Sequence, residues 1–67
     1  MTDTDLAATI RQARLDAGLT QLELAHLMGV SQRSVENWEQ GVATPRPLYL
    51  QAVRRTLKRL ARDRAAS

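Results

Sequence analysis

The sequence predicts an all-α fold, and three observations predict it. Glycines at 18, 29 and 41 divide the chain into pieces of helical length. Small hydroxyl residues that cap helices, Thr20 and Ser31, follow the first two. Apolar residues recur three and four apart, and no segment alternates with the period of two that a strand needs. Sixty-seven residues suit one small domain over 1–67. Such a chain buries only about 60% of its unfolded surface. The expectation is a compact bundle of four to five helices.

A first helix is expected from about Thr4 to Ala17. Leu6, Ile10, Ala13 and Ala17 form its apolar stripe, and Asp3 and Asp5 suit the positive end of its dipole. Gly18 ends it. Thr20-Gln21-Leu22-Glu23 then reads as a capping box, so a second helix starts at Gln21. Leu24, Ala25, Leu27 and Met28 face inward, and Gly29 is the stop. Ser31 caps a third helix, Gln32 to Gln40, which Gly41 terminates. In the following loop Thr44 and Pro45 offer a cap and a first-turn proline. A fourth helix runs from about Pro47 to Arg62 or Arg64, with Tyr49, Val53, Leu57 and Leu60 along its apolar side.

Composition removes several functional classes. There is no cysteine, hence no disulfide and no thiolate metal site, and the reducing cytoplasm is favoured over secretion. No apolar run approaches the roughly 18 residues of a membrane span, and no signal-peptide pattern opens the chain. His26 is the single histidine, without the acidic or cysteine neighbours of a metal site, and reads as a surface residue. No nucleophile and base are paired, so no catalysis is expected, and no cofactor. Charge is uneven. Residues 1–30 carry two arginines against four acids; residues 31–67 carry eight basic groups against three acids. A basic half suits either a polyanionic partner or a solvated helix face.

The third helix is informative. On a wheel of about 100° per residue, Gln32, Arg33, Glu36, Asn37 and Gln40 fall within about 140°. Val35 and Trp38 lie opposite. Trp38 therefore reads as the anchor to the core, not as a stacking platform, and the polar arc is presented outward. Only Gly29 and Val30 separate Met28 from the Ser31 cap, so the second and third helices must cross steeply. That is the geometry of a helix-turn-helix over 21–40, whose second helix enters the DNA major groove. Ala25 is small enough for close approach, and Gly29 can adopt positive φ.

The stretch LTQLELAHLMGVSQRSVENWEQG resembles the helix-turn-helix of the Cro and phage-repressor family, also named for xenobiotic-response-element regulators. Thr20-Gln21, Ala25, Gly29, Val35 and Trp38-Glu39-Gln40-Gly41 carry the likeness, with Leu24, Met28 and Val30 at its other apolar places. It extends back to Ile10-Arg11 and Arg14 and forward to Pro45. The resemblance implies a repressor-like fold and base contacts from Gln32, Arg33 and Asn37. It implies a phosphate contact from Gln21 and a structural ion pair between Arg14 and Glu39. Arginine grips guanine, and glutamine or asparagine grips adenine, through paired hydrogen bonds. Arg33 departs from the glutamine of some relatives, so their operators do not transfer.

Ser31, Ser34, Gln40 and Arg46 are further phosphate candidates, and Arg11 another. Glu36 either accepts from cytosine or is a solvated discriminator. Leu48, Leu50 and Leu60 offer apolar surface for a subunit contact. The expected function is a small repressor or autorepressor, acting as a homodimer on an inverted-repeat operator in double-stranded DNA. No membrane partner is expected, and the protein should work in the cytoplasm, at the nucleoid. Two other readings stand beside it: an antitoxin that binds DNA and neutralises a toxin, and a helical protein-interaction module.

Overall fold

The computed structural model describes residues 3–66, with side chains from 6 to 65. The order is α1 (Asp3–Asp16), α2 (Gln21–Met28), α3 (Gln32–Gln40) and α4 (Pro47–Ala66), with no strand among the described residues.

Local chemistry explains the helix limits. The capping box at α2 is complete. Thr20 Oγ1 accepts from the Glu23 amide at 3.1 Å, and the Thr20 amide donates to Glu23 Oε1 at 2.8 Å. At α3, Ser31 Oγ accepts from the Ser34 amide at 3.2 Å. Both helices end in a left-handed glycine, Gly29 at φ 74° and Gly41 at φ 75°, where other residues would be strained. Each glycine lets the chain reverse and satisfy orphan carbonyls. The Val30 amide donates to Ala25 O and the Val42 amide to Asn37 O, both at 3.0 Å.

The core is one cluster: Ile10, Leu24, Ala25, Met28, Val35, Trp38 and Val53. Leu6, Leu19, Val30, Leu57 and Leu60 pack around it. Ala25 is fully buried, which allows close approach within the helix-turn-helix. α3 and α4 each pack on both α1 and α2. The first two helices are thus a shared support, and α3 is covered on one side only. α3 and α4 meet where the Trp38 and Tyr49 rings lie 6.3 Å apart, tilted by 46°.

Several expectations need correction. Ala17 is exposed and lies in the turn after α1, because the helix closes at Asp16. Leu27 is 49% exposed, because it lines open clefts against Leu60 and Asp63 of α4 instead of a closed contact. Thr44 and Pro45 do not start α4. Pro45 is buried in the loop, and Pro47 takes the first helical position, with the Leu50 amide donating to Arg46 O at 2.7 Å. α4 also runs past Arg64, to Ala66. Of its apolar side, Val53 is buried but Tyr49 is 45% exposed, and Thr56 is a buried polar residue that the apolar pattern passed over. Of the three leucines offered as exposed, Leu48 is 75% exposed, whereas Leu50 and Leu60 are half-buried. The side chains of Asp3 and Asp5 lie outside the described residues.

Candidate nucleic-acid interface

The interface is built outward from α3. Val35 and Trp38 are buried on its inner side, Val35 completely. A buried tryptophan removes on the order of 200 Å² from water, enough to fix the rotation of a nine-residue helix. With the rotation fixed, Gln32, Arg33 and Gln40 are exposed, while Glu36 and Asn37 are half-exposed. The side chains of Gln32, Arg33 and Asn37 make no hydrogen bond to another described residue, so their donors and acceptors face solvent. The Asn37 carbonyl is used, accepting from the amides of Val42 and Ala43.

The inner end of α3 is tied down by charge. Arg14 donates from Nε to Glu39 Oε2 at 2.8 Å and from Nη2 to Oε1 at 3.1 Å. Its Nη1 donates to Leu19 O at 3.0 Å. One guanidinium therefore joins the end of α1, the entry to α2 and the end of α3. The side chains are only 13% and 4% exposed. The hydrogen bond to Glu39 raises the Arg14 pKa above its ordinary value against the opposing effect of burial. Planar fork geometry is what makes arginine suited to this.

Gln21 is half-buried, and its amide donates to Glu39 Oε1 at 3.3 Å. An amide nitrogen has two hydrogens, so one remains for another acceptor. Ser31 and Ser34 are linked through their hydroxyls at 3.0 Å. That contact uses one of two hydroxyl protons and leaves the other for a further acceptor. Arg46 is exposed at the start of α4, and His26 is exposed on α2. Among the described residues no three His, Asp or Glu side chains gather as a metal would require, and no helix is long and apolar enough to cross a membrane.

Two features escaped the sequence reading. The bond from Arg14 to the Leu19 carbonyl has no side-chain signature, since any residue supplies a carbonyl. The Gln21–Glu39 bond joins residues 18 apart and depends on how α2 and α3 cross. The family profile described as helix-turn-helix matches residues 10–62. Neither a curated protein nor a solved structure matches the chain.

Proposed function

Because the chain belongs to the helix-turn-helix family of the Cro and phage-repressor kind, which are DNA-binding transcriptional regulators, we propose that it is a small repressor that binds an inverted-repeat operator as a homodimer. The family is one of DNA-binding regulators, typically without enzymatic activity. In the proposed complex α3 lies in the major groove. Gln32, Arg33 and Asn37 meet base edges there, Arg33 suited to guanine and the two amides to adenine. Gln21, Ser31, Ser34, Gln40 and Arg46 hold phosphates on either side, which orients the domain without reading sequence. One α3 reads too few base pairs to select a site in a genome. A two-fold pair with half-sites about 34 Å apart doubles the readout. Seated within a promoter, the dimer would exclude polymerase. The protein would then act at the nucleoid, in the cytoplasm.

The observation that carries this reading is the split of α3 into a buried apolar side and an open side of unpaired donors and acceptors. Selection of bound duplexes from a random pool tests it. A palindrome should emerge, and Arg33→Ala should relax one base position per half-site, at about 1–3 kcal/mol of discrimination. Enrichment of no sequence would remove DNA reading. Enrichment of a single unrepeated half-site would remove the dimer.

A further inference from the structure

Leu27 of α2 and Leu60 of α4 line two adjoining clefts, of about 150 Å³ and 320 Å³. The smaller is completed by Arg55, Thr56, Arg59 and Asp63, and the larger reaches Leu19 and Asp16. Leu27 is half exposed there, a large apolar side chain left in water. The smaller cleft has room for one more apolar side chain. Charge is divided along the groove. Arg55 and Arg59 stand at one rim, exposed and without an ion pair to any described residue. Asp63 and the Asp16–Arg64 bridge mark the other end, and both acids are already engaged. None of the side chains assigned to bases or phosphates lines either cleft.

The occupant of this groove must offer an apolar group and negative charge together. A duplex backbone offers charge, and nothing on it fills the space beside Leu27. A second copy would set a half with eight basic groups and three acids against itself. An acidic amphipathic helix meets both demands. Arg55 and Arg59 are four residues apart, about 6 Å along α4, which is the separation of carboxylates at i and i+4 on another helix. Each guanidinium can take a carboxylate through two parallel hydrogen bonds. Leucines three residues after each carboxylate lie on the adjoining stripe, where they meet Leu27 and Leu60. We propose that the groove between α2 and α4 docks an acidic amphipathic helix of a partner protein. The inference goes beyond DNA reading and stands without it. Since the outer arc of α3 is no part of the groove, partner and duplex are held at once.

The probe is a capped alanine-rich peptide of about 18 residues, long enough to be helical, with two glutamates four apart and a leucine three residues after each. Amide shifts of the full chain are followed as the peptide is added at low salt. Saturable shifts should centre on Leu27, Arg55, Arg59 and Leu60 and leave Gln32, Arg33 and Asn37 unmoved. Arg55→Glu with Arg59→Glu should weaken binding about tenfold or more, and a lysine version of the peptide should bind that variant instead. Leu27→Ala should also weaken binding. Arg54→Glu with Lys58→Glu, outside the groove, should leave it nearly unchanged. All these side chains are exposed, so unfolding midpoints should stay near that of the parent. Absence of saturable binding overturns the proposal, as does an equal loss in the Arg54 and Lys58 variant, which would mean a diffuse charge field. Shifts centred on α3 would place the peptide on the DNA-reading face. Duplex DNA that shifts Leu27 and Arg59 would give the groove to nucleic acid. A dimer in sedimentation that Leu27→Ala dissociates would give it to a second copy. Any of these three results overturns it too.

Discussion

α3 and α4 are both amphipathic, and both carry polar or basic outer faces, yet they are held very differently. α3 has nine residues, a serine cap, a glycine stop, two buried apolar anchors and a buried ion pair at its end. α4 has twenty residues, with Val53 and Thr56 buried and no side-chain cap. Its far end is joined to α1 by an Arg64–Asp16 bridge at 2.9 Å whose arginine side chain is 68% exposed. Density of constraint per residue differs more than charge does. A helix that must place a few side chains to within an ångström needs a defined start, stop and rotation. α4, by contrast, can close the core with half its length and leave the rest solvated.

The two ion pairs give the largest test of this contrast. Arg14→Ala leaves Glu39, 4% exposed, without a counter-charge and with only the Gln21 amide as side-chain donor, and should cost about 3–5 kcal/mol in urea unfolding. That is a large share of what a small domain has in total. Arg64→Ala should cost less than about 1 kcal/mol, because exposed pairs contribute little. Equal losses would erase the distinction between the helices. Replacing both partners, Arg14→Met with Glu39→Leu, should recover most of the stability while weakening DNA binding.

The stop of α3 ranks next. Gly41→Ala forces a side chain into φ 75° and should cost about 1–2 kcal/mol, visible as a lower midpoint at unchanged m-value. The space around it is open, so strain alone is measured.

Caps come third and run in opposite directions. Ser31→Ala should cost about 1 kcal/mol of stability. Arg46→Asp should add a similar amount by giving α4 the cap it lacks, since a residue before proline already favours extended backbone. The same change should weaken binding to all duplexes, because it reverses a charge placed beside phosphate. A destabilised Arg46→Asp variant would show that α4 is already satisfied at its start.

The smallest effect is a pH dependence at α2. The Thr20 amide, and then its hydroxyl, hold the Glu23 carboxylate below its ordinary value. A lowered folded pKa contributes stability above the unfolded value, about 4.3, and that contribution is lost as pH falls through the folded value. Glu23→Gln should therefore flatten the acid limb of the stability curve slightly, and an unchanged limb would remove the capping box as its source.

Much of this was legible in the residues. The limits of α3 and the capping box rest on interactions within five residues of chain, and each has a residue-type signature; the inward side of α3 is marked by the spacing of Val35 and Trp38, although distant residues such as Ile10 and Val53 bury it. The exposure of Leu27 had none. Helical spacing places it on the apolar arc of α2, but how wide an arc is covered depends on what packs there. Thr56 failed in the opposite sense, a hydroxyl residue that α4 nonetheless buries. Thr44-Pro45 and Pro47 offered two starts for one helix, and the burial of Pro45 in the loop decided between them.

What the sequence by itself determined is therefore local: where helices begin, where glycine lets them end, and which side of α3 seeks the core. The first two follow from hydrogen bonds and dihedral preferences between near neighbours, and the third from the helical spacing of Val35 and Trp38. The tertiary structure alone decided which of the remaining groups meet: Gln21 with Glu39, and Arg14 with the Leu19 carbonyl. Such contacts join residues far apart in the chain, and they exist only because α1 and α2 fix the crossing of α3.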